Sequence, residues 1–167
     1  GLFTVEDLLF FSPKSYDDRR SLPKIIDLKM GETQSTVGTV VAREETHVKG
    51  VSLLKCILKD PSGLLTAVWF NQAFLKPSLN VGTPLLVRGK VEYNTYQKIR
   101  QILVSETEIL SSPQVIAESL GRLIPQYSLV SGLTQLKLRH FVKEALLKAL
   151  PDLIDPMPPE YLRQLSL

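Results

Sequence analysis

Residues that bind metals or act as nucleophiles are scarce in this chain: its 167 residues include one cysteine and two histidines. A single cysteine excludes an internal disulfide, and nothing resembles a Cys/His cluster at metal-ligand spacing. His47 and His140 stand far apart with no carboxylate in pattern beside them, and each reads as plain surface. The acidic pairs Asp17-Asp18 and Glu44-Glu45 lie beside Arg19-Arg20 and Arg43, so local charge compensation explains them better than a cation site. No G-x-x-x-x-G-K-[ST] phosphate loop is present. No apolar run approaches the roughly 18 residues of a transmembrane helix, and no signal-peptide pattern opens the chain. The expectation is a stretch that performs no chemistry, holds no cofactor of its own and works in the reducing cytoplasm, away from membranes. Gly1 at the start, and a helix-like 158–165 near the end, suggest a piece of a longer protein.

What is present is an ordinary globular composition, 44% hydrophobic and 22% charged, with a formal charge of +3. The excess charge is concentrated: residues 51–110 carry seven Lys/Arg against four Asp/Glu, while the remainder balances at thirteen each. Three parts follow from the patterning. Residues 1–32 are a helical lead-in, with Thr4 and Asp7 as a capping pair over 4–11, then a mixed-charge loop. Residues 33–110 switch to a period of two, and residues 111–167 return to a helical period. In that last part Thr134 or Ser131 caps a stripe of Leu138, Phe141, Val142, Ala145, Leu146 and Ala149.

Within 33–110, Thr36–Val41 reads as a first strand, with Gly38 marking a bulge or a close backbone approach. Residues 51–59 form the second, placing Leu54, Cys56 and Leu58 inward and Lys55 and Lys59 outward. Asp60-Pro61-Ser62-Gly63 turns the chain into a third strand, 64–70, which carries Trp69. Residues 71–79 suit a short helix. A fourth strand runs 83–93 and a fifth from Tyr96 to about Leu110, with Asn94-Thr95 as the tip between them. Three strands, a short helix and two strands is the element order of a mainly β, five-stranded OB-type Greek-key barrel, which a small SH3-like barrel imitates.

The tip carries the functional signal. Arg88, Lys90, Lys98 and Arg100 flank it, and pairing through 94–95 would gather them on one surface that attracts phosphate. Lys55, outward on the second strand, adds to that charge. Tyr96 lies at the tip, where a ring can stack on an exposed base. Tyr93 shares parity with Leu85, Val87 and Val91 and reads equally as a rim or a stacking residue. The plain alternative is a solvated barrel surface, and barrels of this type also bind oligosaccharides and proteins.

The residues also resemble a known family. Gly1-Leu2-Phe3-Thr4-Val5-Glu6-Asp7-Leu8-Leu9, Pro13 and Tyr16-Asp17-Asp18-Arg19-Arg20 look like the entry to the wedge domain of bacterial RecG DNA helicases. Phe70-Asn71-Gln72 with Leu75 and Leu79, Val87-Arg88-Gly89-Lys90-Val91, Ile124-Pro125-Gln126-Tyr127 and Gly132-Leu133-Thr134-Gln135 continue the likeness in order. The resemblance implies an OB-fold wedge that splits strands at stalled replication forks or Holliday junctions in DNA repair and recombination. Separate motor domains of the same polypeptide, with ATP and Mg, would pull the duplex arms, and a single-strand-binding protein is a possible partner. Tyr96 and Tyr93 would stack, and Arg88, Lys90, Lys98, Arg100 and Lys55 would meet phosphates. Where many relatives carry a His-Pro-Glu-type segment, this chain has Ser105-Glu106-Thr107-Glu108, whose glutamates repel phosphate. Readings left open beside it are a protein-docking module and a domain for unbranched single-stranded nucleic acid or transfer RNA.

Overall fold

The computed structural model describes residues 3–48, 50–129 and 132–152. Ser131 and the segment 158–165 fall outside that set. The chain divides into two compact units, one spanning Tyr16–Ile124 and the other joining residues up to Ser15 with those from Pro125 onward.

The larger unit is wider than its barrel. In chain order the strands are β1 (Ser15–Asp18), β2 (Thr33–Val48), β3 (Val51–Asp60), β4 (Gly63–Phe70), β5 (Pro84–Asn94), β6 (Ile99–Ile109) and β7 (Leu123–Gln126). β1 and β7 form a two-stranded sheet, and the other five close a barrel in the order β2-β3-β4-β6-β5. β4 and β6 run parallel while the other neighbours are antiparallel, the Greek-key arrangement that the element order predicts. β2 is long enough to serve two neighbours, with 33–39 on β5 and 39–48 on β3.

Alternation decides what fills the barrel. Leu54, Cys56 and Leu58 of β3, Leu65, Ala67 and Trp69 of β4, Leu85, Val87 and Val91 of β5 and Ile102 and Val104 of β6 meet in one core. Trp69 is fully buried, and its indole N–H is satisfied by the Thr107 hydroxyl at 2.7 Å. Cys56 is an inert core thiol, its pKa pushed up to about 11 by burial. Ile25 and Leu28, on and just after a 3-10 turn (Ile25–Asp27), plug the same core. That plug is tied down by Asp60, whose carboxylate also accepts from Ser62 and Gly63 in the β3–β4 turn. Burial alone would raise the Asp60 pKa; the hydrogen bonds outweigh it and the net direction is downward.

Two expectations on the backbone need correction. The bulge in β2 falls at Val41, between Val40 and Ala42, and not at Gly38. Gly38 answers the other half of its reading, since a Cβ there would stand 3.0 Å from the Leu58 Cβ. The segment expected as a short helix is a 3-10 stretch, Ala73–Ser78, tightened around Pro77.

A second glycine matters more. β6 bulges at Ser105, opposite Arg88 and Gly89, and there the two backbones close so far that a Cβ on Gly89 would lie 2.0 Å from the Leu103 carbonyl oxygen. Backbone cannot yield as a side chain does, so Gly89→Ala is expected to cost about 3 kcal/mol or more in urea unfolding. A loss below about 0.5 kcal/mol would contradict this packing.

The smaller unit is helical. Helix α1 (Val5–Leu9) begins with a complete capping box, Thr4 accepting from Asp7 N–H and the Asp7 carboxylate from Thr4 N–H. A short helix α2 (Pro113–Ser119), capped by Ser112, belongs to the barrel unit, whereas α3 (Gln135–Ala149) is capped by Thr134. Leu138 and Val142 of α3 pack with Tyr127, Leu8 and Phe11, and the Phe11 and Tyr127 rings stack at 5.5 Å. Phe141 and Leu146, predicted in the buried stripe, lie at its margin and are exposed.

Candidate nucleic-acid interface

The connection between β5 and β6 is a four-residue turn, Thr95 to Lys98, so β6 starts at Ile99 and the strand does not include Tyr96. Asn94 starts the turn by accepting the backbone N–H groups of Tyr96 and Gln97, both at 3.0 Å, a side-chain mimic of a backbone turn. Tyr96 consequently points away from the barrel and is 97% exposed. Lys98 closes the turn in a left-handed conformation, φ 53°, and is also exposed. Lys55, half-buried on the outward side of β3, reaches the turn through a 3.4 Å hydrogen bond from Nζ to Gln97 Oε1.

The register that follows separates the predicted cations. Tyr93 pairs with Arg100, Lys90 with Leu103 and Arg88 with Glu106. Directly paired residues share a face. Arg100 therefore lies on the face of Val91 and Ile102 at the end of the barrel, and Arg88 lies on the outward face. A common surface of Arg88, Lys90, Lys98 and Arg100 does not form. The reason is parity: from Gly89 to Asn94 the even-numbered residues of β5 pair with odd-numbered ones of β6, so Lys90 and Arg100 face opposite sides, as they would with a two-residue tip at 94–95.

Both arginines are also occupied. Arg100 donates to the carbonyls of Ile26 and Leu28, at 3.1 and 3.3 Å, and to that of Ile25, so it anchors the plug segment. Arg88 donates to Asp17 Oδ1 at 2.7 Å and stands 3.7 Å from Glu106. Asp17 in turn binds Arg19 at 2.6 Å and accepts from the Ser35 hydroxyl at 2.8 Å. Arg19, only 2% exposed, completes the set with Glu108 at 3.0 Å. The two glutamates of Ser105-Glu106-Thr107-Glu108 are thus turned to Arg88 and Arg19, and their charge is spent inside the protein. Asp18 is different: it pairs with Arg20 in solvent, which holds its pKa down at about 2.

Tyr93 is 53% exposed despite its core parity, because the hairpin runs past the end of the barrel where no opposing strand covers it. Lys90 is exposed on the outward face of β5. The geometry therefore brings Tyr96, Lys98 and Lys55 to one turn, keeps Tyr93 and Lys90 on the strand behind it, and removes Arg88 and Arg100 to structural duty.

The family model described as the RecG wedge domain matches residues 1–149. The chain belongs to that family. RecG helicase from Thermotoga maritima is 31% identical over 169 residues, an alignment covering all of this chain and 21% of that protein. RecG from Escherichia coli K12 is 32% identical over 170 residues, covering 96% of this chain and 23% of that one. A solved structure of RecG bound to a three-way DNA junction has a TM-score of 0.79 at 30% identity, over 98% of this chain and 22% of that chain. The chain thus spans about a fifth of the length of the curated RecG relatives that it matches.

Sequence reading gave Asn94 of this RecG wedge hairpin only as part of the tip, without its bonding role, and did not single out Gln97 or Gln101. Asparagine at the start of a turn was the available signal, since its side chain bonds backbone two and three residues on. Among the described residues no group of three or more His, Cys, Asp or Glu is arranged to hold a metal ion, and no helix is long and apolar enough to cross a membrane.

Proposed function

We propose that this chain is the wedge that grips branched DNA for a RecG-type helicase and parts its strands at forks and Holliday junctions. The single observation that carries the reading is the near-complete exposure of Tyr96 on a turn fixed by its own side-chain hydrogen bonds. A ring held out in this way meets a base that has lost its partner, which occurs at a branch point and not along intact duplex. Stacking there contributes roughly 1–3 kcal/mol. Tyr93, one strand residue before Asn94, supplies a second ring for the opposite side of the opening. Lys98 and Lys55 neutralise phosphates beside the turn, and Lys90 does so further back along β5, roughly 13 Å away at the usual strand rise.

The wedge holds and the motor pulls. ATP and Mg belong to motor domains elsewhere in the parent polypeptide, and this part contributes no catalytic group. The helical unit leaves Phe3, Phe10, Leu147 and Leu150 exposed, apolar side chains that the rest of that polypeptide could cover. RecG relatives roughly five times longer than this chain are the support for that partner. The site of action is the cytoplasm, where the DNA is.

Junction binding by this chain is expected to be weak and strongly salt-dependent. Lys90→Ala together with Lys98→Ala is expected to flatten the slope of log affinity against log salt by about 2, about 1 per lost phosphate contact. A titration of a three-way junction at several salt concentrations tests this, and an unchanged slope would show that neither lysine meets a phosphate. A preference for the junction over plain duplex tests the branch-point reading itself; equal affinity for both, or no binding at about 50 mM salt, would contradict it.

A further inference from the structure

An exposed ring on a four-residue turn ordinarily samples many orientations, and a binding partner must then freeze it. Here a polar chain on the sheet ties down the backbone that carries the ring. Glu92 and Gln101 are paired across β5 and β6, and Gln101 Nε2 donates to Glu92 Oε1 at 2.9 Å. Gln101 Oε1 accepts from Asn94 Nδ2 at 3.2 Å. The other end of the Asn94 side chain holds the N–H groups of Tyr96 and Gln97. Gln97 is held a second time by Lys55.

Gln101 is the informative member. It is only 7% exposed, and both ends of its amide are satisfied, so it has one orientation to offer Asn94. Paired with Thr66 on one side and Glu92 on the other, its amide accepts from Asn94 through the oxygen and donates to Glu92 through the nitrogen, which no apolar residue there could do. Lys98 at φ 53° adds to the same picture, since a residue other than glycine stays in that conformation when its surroundings impose it.

We propose that Asn94 and Gln101 are positioning residues for Tyr96: they fix the turn before DNA arrives, so that the ring is ordered on folding and not on binding. The inference rests on the reading of Tyr96 as the ring that stacks at the branch point. Neither residue touches DNA; both act through the ring.

The test is a double-mutant cycle in the full chain, titrated with a three-way junction. Asn94→Ala is expected to weaken binding about 2–10-fold, the range for immobilising one flexible side chain. In a Tyr96→Ala background the same change is expected to weaken binding by less than about twofold, the limit at which effects count as independent of the ring. If Tyr96→Ala weakens binding but Asn94→Ala has no effect, or the same effect in both backgrounds, the positioning role is overturned and the stacking ring stands. If Tyr96→Ala itself leaves junction affinity unchanged, the stacking reading falls and takes this inference with it. Gln101→Met carries the same cycle should Asn94→Ala fail to fold, with a smaller loss in the same direction that again vanishes without Tyr96.

Discussion

Asp17→Ala is expected to destabilise the barrel unit by about 3–5 kcal/mol, measured as the shift in a urea unfolding curve. Asp17 is shared by two arginines, accepting from Arg19 Nε at 2.6 Å and from Arg88 Nη1 at 2.7 Å, with the Ser35 hydroxyl as a third donor. Removing it leaves the Arg19 guanidinium buried with Glu108 as its remaining ion pair, and Arg19 Nη2 already lacks a hydrogen-bond partner. Each arginine keeps a glutamate, so the cost lies in burying Arg19 Nε and the Ser35 hydroxyl without the acceptor they share. Arg88→Ala should fall in the same class. Its loss of DNA affinity is expected to follow its loss of folded protein, whereas Lys98→Ala should weaken binding at an unchanged urea midpoint. A midpoint that barely moves in Asp17→Ala would contradict the structural role given to this cluster.

Tyr96→Ala is expected to weaken binding to a three-way junction by roughly 5–150-fold, the equivalent of 1–3 kcal/mol of lost stacking. Plain duplex affinity should change little, because a paired base has no free face for the ring. Stability should be untouched, since a side chain exposed over 97% of its surface leaves no cavity behind. Tyr96→Phe keeps the face of the ring and should retain most of the affinity, which separates stacking from a hydroxyl contact. Tyr16→Ala is the matched control: this tyrosine is also exposed on the barrel unit but lies on β1, beside Asp17, which meets β5 at Arg88, well short of the Thr95–Lys98 turn. Equal losses from Tyr16→Ala and Tyr96→Ala would mean that the effect is not specific to the turn.

Local patterns were legible, and long-range partners were not. Alternation placed Leu54, Cys56 and Leu58 inward, and Asp60-Pro61-Ser62-Gly63 announced its hairpin, because both signals act between residues close in sequence. The capping box at Thr4 and Asp7 was readable for the same reason. Asp17 and Arg88 are 71 positions apart, and nothing in either neighbourhood marks them as partners. Parity states which side of a strand a residue occupies; it does not state whether a cation there meets solvent or a carboxylate.

The hairpin shows the same limit at shorter range. Asn94-Thr95 looked like a two-residue tip, but Asn94 uses its side chain to extend the turn to Lys98. Moving the start of β6 from Tyr96 to Ile99 sets the register in which Arg100 faces Tyr93 and is drawn to the plug carbonyls. The same four-residue turn frees Tyr96 from the sheet. Position near a tip was enough to expect an exposed ring at Tyr96, while the partners that occupy Arg88 and Arg100 lie too far off in sequence to be expected.

A crosslinking experiment addresses the placement of Tyr96 most directly. A photoreactive phenylalanine analogue put at position 96 of the full chain would be irradiated on a three-way junction, with each strand labelled in turn. Crosslinks concentrated on the nucleotides at the branch point are expected. Crosslinks scattered along the duplex arms, or a yield no higher than from the same analogue at position 16, would contradict a ring set into opened DNA.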